Sequence, residues 1–250
     1  MKTYRETLTL RTRDCDFKGE WRLSAILESL QETAGGHCDR LGCGRSALRK
    51  KGIAWVLLRN ELRMARYPVI DEQVSVETFH TPTRHRMFPR YFILRDAKER
   101  VVGTASSLWV LMDLQSRQSV IPDEIASLLP DNSDMRPPMP LPGRIMPIAN
   151  GRDTEILYHP SYIDLDANGH MNNARYADVL CNCLGVDMLR RHQVESITVN
   201  YFAEVLPEHQ LHLTLSQDQL QNRLVGSCEG KIAFDLGCRM KPENHINTNK

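Results

Sequence analysis

No stretch of these 250 residues approaches the ~18 consecutive apolar positions that a membrane span requires. The opening run Met1-Lys2-Thr3-Tyr4-Arg5-Glu6 lacks the apolar core of an export signal. Charge of one sign is not in excess: 32 basic against 31 acidic residues give a net charge of +1, with no global pull toward nucleic acid or an anionic membrane. Cysteine is present but not organised. The seven are an odd number and scattered, so without an export signal they read as reduced thiols rather than a disulfide framework. Cys181 and Cys183 form a C-x-C with no second pair at ligand spacing, which argues against a zinc site.

Several sequence devices are also missing. There is no P-loop and no G-x-G-x-x-G, so nucleotide chemistry is disfavoured, and no H-E-x-x-H of a zinc protease. No G-x-S-x-G is present. Gly226-Ser227-Cys228-Glu229-Gly230 spells a cysteine version of that elbow, but Ile232, Phe234 and Leu236 alternate after it, a strand pattern where an elbow needs a helix. Nothing calls for a cofactor or a metal. What remains is an ordinary globular composition, 41% hydrophobic and 25% charged, long enough for one large domain or two smaller ones.

The pattern along the chain occurs twice. Thr3–Thr12 alternates as a strand, and Leu23–Leu41 carries Leu23, Ile26, Leu27, Leu30, Ala34 and His37 on one helical stripe. Ser24 is the expected N-cap and Gly42 the stop. His37, on that stripe, reads as a core histidine. Strand-like runs follow at Ile53–Leu62, Gln73–His80, Arg90–Arg95 and Val101–Asp113. Between Pro130 and Pro147 six prolines break both helix and ladder. Then a strand (Asp153–His159), a helix (Asn173–Arg191, carrying a stripe of Tyr176, Val179, Leu180, Leu184, Met188 and Leu189) and four strands (Ser196–Ala203, Gln210–Ser216, Leu220–Cys228, Lys231–Met240) repeat the layout. This predicts an α+β fold made by internal duplication, with units at 1–129 and 151–250, a linker at 130–150 and a frayed polar tail from Pro242.

Each strand–helix junction holds a polar turn. The second is Asp164-Leu165-Asp166-Ala167-Asn168-Gly169-His170-Met171-Asn172-Asn173. The first, 150 residues earlier, keeps Asp16 and Gly19 where the second has Asp166 and Gly169, but holds Lys18 and Glu20 where the second has Asn168 and His170. Taken singly, Asp166 and Asn168 are turn residues and His170 a hydrogen-bonded histidine. Together, with chemistry present in one copy only, they point to a two-repeat enzyme with a single active site. Asn172 and Asn173 read as capping or turn-bracing residues.

These elements resemble the acyl-acyl carrier protein (acyl-ACP) thioesterase family of plant plastids and bacteria. The resemblance runs through Leu30-Gln31-Glu32-Thr33-Ala34, Ile53-Ala54-Trp55-Val56, Arg66-Tyr67-Pro68, Arg95-Asp96, Ala105 to Val110, Ile121-Pro122-Asp123-Glu124, and the turn from Asp164 to Asn173 followed by Tyr176. It implies a tandem hotdog, two central helices each wrapped by an antiparallel sheet, in which Asp166, Asn168, His170 and the acid Glu204 form the catalytic set. Plant members carry a cysteine after that acid. Here it is Val205, which excludes a cysteine nucleophile at this position. Plant members also carry a transit peptide, and the missing leader suggests a bacterial, cytoplasmic member.

Thioester hydrolysis needs a polarised carbonyl, an activated water and a leaving thiolate. Asn168 and a backbone N–H at the start of the second helix are the expected donors to the oxyanion. Glu204 is the preferred general base, with His170 and Asn168 holding the water and Asp166 orienting one of them; water polarised directly by Asp166 is equally compatible with the residues. An acyl slot is expected between the first helix and its sheet, with Ile26, Leu27, Leu30, Trp55, Leu57 and Trp109 as candidate liners that could equally be plain core. Acyl carrier proteins are acidic, so the basic run Arg84, His85, Arg86, Arg90 and Arg95 is the expected docking face, with Arg136 and Arg144 weaker candidates. A homodimer is optional given the internal pair. The rival readings are an acyl-CoA thioesterase of the same fold, a non-catalytic acyl-ACP-binding regulator, and a hydratase of 3-hydroxyacyl chains.

Overall fold

Two compact units, Met1–Arg144 and Ile145–Lys250, make up the chain. The structure, a computed structural model, describes residues 1–242. The division falls inside the proline-rich stretch, which forms no helix or strand.

The first unit opens with β1 (Tyr4–Thr9), shorter than the predicted Thr3–Thr12 because a 3-10 turn at Thr12–Asp14 bends the chain toward the helix. Helix α1 (Leu23–Arg40) follows, then the short α2 (Arg45–Arg49). The predicted stripe on α1 is buried, Ile26 and His37 completely. Gly42 takes a left-handed φ of 79° just past the helix and acts as the predicted stop. Ser24 does not cap. The cap position is Arg22, whose carbonyl accepts the Ile26 N–H at 3.0 Å, and Ser24 is buried inside the first turn.

An antiparallel sheet then forms from β2 (Ile53–Met64), β3 (Gln73–His80), β4 (Phe88–Asp96) and β5 (Val101–Asp113). Val74, Val76, Phe92 and Leu94 supply the apolar face that receives α1. The strand order is β1-β3-β4-β5-β2, with β6 (Ser119–Val120) a short partner of β5 and α3 (Asp123–Ala126) after it. The sequence pattern missed α2, β6 and α3, each too short to show a period.

The second unit repeats this plan with β7 (Arg152–Tyr158), α4 (Arg175–Leu184), α5 (Val186–Arg191), β8 (His192–Tyr201), β9 (Leu211–Asp218), β10 (Gln221–Cys228) and β11 (Lys231–Pro242). Its order, β7-β9-β10-β11-β8, is that of the first unit strand for strand. The helix predicted over Asn173–Arg191 is two helices, because Gly185 adopts φ 80° and its N–H closes α4 on the Cys181 carbonyl at 3.0 Å. Tyr176, Val179, Leu180 and Leu184 of the predicted stripe are buried, whereas Met188 and Leu189 beyond the break are half-buried. Pro242 closes β11 rather than opening a tail, and the remainder of the predicted tail, 243–250, lies outside the described residues.

Both units are thus a helix on an antiparallel sheet, and the chain is a tandem hotdog. Among the described residues no helix is long and apolar enough to cross a membrane.

Candidate active site

The two polar turns are one backbone motif built twice. In the second unit the Asp164 N–H bonds to the Ser161 carbonyl (2.9 Å), Asp166 N–H to His170 O (2.8 Å), Gly169 N–H to Asp166 O (3.0 Å) and Asn172 N–H to Asp164 O (2.7 Å). In the first unit the same bonds run Asp14 to Arg11 (2.8 Å), Asp16 to Glu20 (2.8 Å), Gly19 to Asp16 (3.0 Å) and Arg22 to Asp14 (2.9 Å). Gly169 and Gly19 sit at φ 81° and 75°, a left-handed conformation that a side chain resists, so both turns need glycine there. Asp166 Oδ1 and Asp16 Oδ1 accept the N–H two residues on, at 2.7 and 2.8 Å. The aspartates shared by the two copies therefore have a scaffolding job before any chemistry.

Asp164 is wholly structural. It is buried, and its Oδ2 accepts from the Tyr158 hydroxyl, the Ser161 N–H and the Ser161 hydroxyl, each at 2.7 Å. Burial and this carboxylate push the Tyr158 phenol well above its usual pKa, keeping it a donor. Sequence alone could not separate Asp164 from Asp166, since both are acids in one polar turn.

On this scaffold the second unit presents different side chains. Asn168 Nδ2 donates to Asp166 Oδ2 at 3.1 Å, so Asp166 holds the plane of that amide. His170 Nδ1 lies 3.8 Å from Glu204 Oε1, with side chains 31% and 43% exposed. That separation is longer than a direct hydrogen bond and suits two groups sharing one water, in a place that water can reach. Glu204 is brought there because the strand after α5 runs back past the turn, pinned where the Met171 N–H donates to the Val205 carbonyl at 2.8 Å. Asn172 Oδ1 accepts the Ala174 N–H at 2.9 Å and the Asn172 carbonyl accepts the Arg175 N–H at 2.9 Å, which is the turn-bracing of the two predicted roles, the cap position being Ala174. The next amide, the Asn173 N–H at the entry to α4, has no hydrogen-bond partner among the described residues. The Asn173 carbonyl accepts from the Tyr201 hydroxyl at 2.8 Å, which braces that peptide.

In the first unit the equivalent positions hold an ion pair, Lys18 Nζ to Glu20 Oε2 at 2.9 Å, with both side chains only 15% exposed. The acid's place is taken as well. The Trp21 N–H donates to Pro68 O (2.7 Å) as Met171 does to Val205, which puts buried Tyr67 where the second unit has Glu204.

The remaining predicted residues lie in the first unit. Ile26, Leu27, Leu30 and Leu57 are buried, and Trp55 and Trp109 half-buried, their indole N–H groups held by Cys43 O (3.0 Å) and Ser107 Oγ (2.8 Å). Trp55 stands edge-on to Phe88 at 4.9 Å. A surface recess of 390 Å³ beside α1 is lined by Glu6, Asp14, Glu28, Glu32, Ser29 and Thr33, too acidic to receive an alkyl chain.

Of the predicted docking residues, Arg84, His85 and Arg86 are exposed at the β3–β4 hairpin tip, where Arg86 Nη1 also donates to Ser119 O at 2.9 Å. Arg90 is not part of that face. It is buried, donating to His37 Nδ1 (3.1 Å), Thr78 Oγ1 (3.3 Å) and Cys38 Sγ (3.3 Å), because its position on β4 points under α1. Arg95 is half-buried beside Glu77 and Glu99.

The family description "Acyl-ACP thioesterase N-terminal domain" matches residues 1–129, and "Acyl-ACP thioesterase C-terminal domain" matches 149–239. Among curated relatives, the chloroplastic oleoyl-acyl carrier protein thioesterase of Coriandrum sativum is 26% identical over 218 residues, 81% of this chain and 59% of its own. The chain spans a little over half the length of the curated relatives it matches. Among solved structures, an acyl-ACP thioesterase from Bacteroides thetaiotaomicron aligns with a TM-score of 0.86 at 20% identity, covering 96% of this chain and 98% of that one. The 12:0-ACP thioesterase from Umbellularia californica aligns with a TM-score of 0.82 at 21% identity, with coverages of 96% and 98%. At such identities the likeness is one of fold.

Proposed function

Because the chain belongs to the acyl-ACP thioesterase family, we propose that it hydrolyses the thioester of a fatty acyl-ACP, releasing the free fatty acid and the carrier's thiol. The observation that carries this reading is the pairing of His170 with Glu204 at 3.8 Å beside the Asp166–Asn168 contact, in the copy of the turn that carries Asn168 and His170 where the other holds the Lys18–Glu20 ion pair.

Glu204 takes a proton from water while His170 holds that water in line. The water's oxygen attacks the acyl carbon, and the carbonyl oxygen becomes an oxyanion. Asn168, its plane fixed by Asp166, and the Asn173 N–H at the positive end of α4 donate to that oxygen. Collapse expels the thiolate, a good leaving group that needs little acid assistance. Asp166 is here an orienting group, since both its carboxylate oxygens are engaged by Asn168.

In this reading the second unit, 151–250, carries the chemistry, while the first, 1–129, binds the acyl chain along Ile26, Leu27, Leu30, Trp55, Leu57 and Trp109. The segment 130–150 links them. Arg84 and Arg86 receive the acidic carrier, and the reaction takes place in a cytoplasm.

The test is release of free thiol from acyl-ACPs of graded chain length, run beside the matching acyl-CoAs. Clear preference for the carrier-bound substrates is expected. Equal efficiency on CoA would transfer the assignment to an acyl-CoA thioesterase, and tight acyl-ACP binding without thiol release to a regulator. In the same assay, Lys18→Ala and Glu20→Ala leave the rate nearly unchanged while lowering stability by about 1–3 kcal/mol, because each breaks a mostly buried ion pair in the turn that lacks the reacting side chains. A collapse of rate in either variant would contradict a single site.

A further inference from the structure

Tyr176 on α4 is only 2% exposed. Its ring is clamped edge-on between Tyr201 (5.2 Å, 82°) and Phe234 (4.7 Å, 78°). Phe234 reaches it because Gly226 on the neighbouring strand has no side chain: a Cβ there would lie 2.0 Å from the Phe234 ring. The clamp fixes where the phenol points.

The hydroxyl of a tyrosine whose ring is buried normally finds a hydrogen-bond partner. The other two tyrosines of the region comply: Tyr158 donates to Asp164 and Tyr201 to the Asn173 carbonyl. The Tyr176 hydroxyl has no hydrogen-bond partner among the described residues, yet its oxygen is not sealed from solvent, so a buried ring presents a hydroxyl that water can reach. Burial, and then the negative charges of Asp166 and Glu204, push its phenol above the usual range, so it stays protonated and able to donate toward those carboxylates.

The duplication gives an independent argument. The residue 150 positions earlier is Ile26, buried on α1. Residues that build the turn are the same in both copies: Asp14 and Asp164, Asp16 and Asp166, Gly19 and Gly169. Residues that face the reaction differ: Lys18 against Asn168, Glu20 against His170, Tyr67 against Glu204. Tyr176 sorts with the second group. A hydrocarbon is enough to pack this helix position, so the hydroxyl is present for something other than packing.

We propose that the Tyr176 hydroxyl is a further catalytic donor of this site, a role that rests on the thioester hydrolysis proposed above. It donates a hydrogen bond to the water that Glu204 deprotonates. That water then donates hydrogen bonds to Glu204 and His170 and accepts one from Tyr176; one proton passes to Glu204 as the remaining lone pair attacks the acyl carbon, and the other stays on the oxygen that becomes part of the fatty acid. Tyr176 itself gains and loses no proton over the cycle.

Tyr176→Phe keeps the ring and its clamp and removes one oxygen. Expected is a drop in kcat of about tenfold, with KM and Tm unchanged, as for one lost hydrogen bond to a reacting atom. Wild-type hydrolysis with the variant within twofold of it would overturn the role of Tyr176 alone. A fall in kcat accompanied by a lowered Tm, or a raised KM at constant kcat, would also overturn it by making the hydroxyl structural or substrate-binding. Absence of hydrolysis in the wild-type protein would overturn the proposed function and this inference together.

Discussion

Glu204→Gln and His170→Ala each lower the rate of thioester hydrolysis by at least ~10²-fold, the loss expected when a general base or the group aligning its water is removed. The glutamine variant is the sharper of the two. It keeps the shape of Glu204 and its hydrogen-bonding reach but cannot take a proton at neutral pH. Both side chains are substantially exposed, so neither change disturbs the fold, and circular dichroism and Tm should match the wild type. Because the two groups face each other at 3.8 Å and the proposed mechanism has them act on one water, their losses do not add: the double variant should be about as slow as the worse single one. If Glu204→Gln kept a third or more of the rate, the base would lie elsewhere, and Asp166 would be the next residue to replace.

Stability falls steeply between pH 6.5 and about 4 in the first unit. His37 on α1 and His80 on β3 are buried with their rings 6.4 Å apart, both within reach of the charge of Arg90. Burial, and then the charge of Arg90, lower both from 6.5 to about 4. The bonding agrees: a guanidinium can only donate, so His37 Nδ1 is an acceptor, leaving Nε2 to donate to the Met1 carbonyl at 3.4 Å. A second proton would have to enter on the side facing the guanidinium. The unfolded chain takes up protons near pH 6.5, while the folded one refuses them until about 4. The stabilisation is therefore complete above 6.5 and lost as the pH descends to 4, by about 3 kcal/mol per histidine. That is a large share of an ordinary domain's stability. All three tryptophans, Trp21, Trp55 and Trp109, belong to the first unit, so their fluorescence follows its unfolding separately from that of the second. Denaturant midpoints that stayed level from pH 7 down to 4 would mean that these histidines protonate freely in the folded protein.

Much of this architecture was legible in the residues. The repeated layout is written in two helical stripes and two sets of alternating runs, and Gln73–His80 and Val101–Asp113 are strands over the predicted bounds. The shared frame of the turns followed from the spacing of Asp16, Gly19, Asp166 and Gly169. What escaped was what depends on distant partners. The burial of Arg90 under α1 could not be read from a run of basic residues, because whether a strand residue points in or out depends on register. The cap at Arg22 is made by a backbone carbonyl and has no side-chain signature. Gly185 stands inside a good helical stripe, and its left-handed conformation appears only in the fold. Tyr176 looked like one more apolar stripe residue. The signal that separates it, an isoleucine at the matching position of the other copy, was available and required comparing the copies beyond the turn itself.

The salt link in the first turn also governs what evolution can do with it. Lys18 and Glu20 are both largely withdrawn from water and 2.9 Å apart, so changing one exposes the other's charge to an environment that solvates it poorly. Glu20→His sets an imidazole beside an ammonium, and Lys18→Asn leaves a carboxylate that has lost its neighbouring cation. Each solitary step toward a second reaction centre is uphill, and Ile26 and Tyr67 would have to change besides. The asymmetry between the halves is in this sense self-sustaining: while the two opposite charges face each other, no single substitution supplies a second reaction centre.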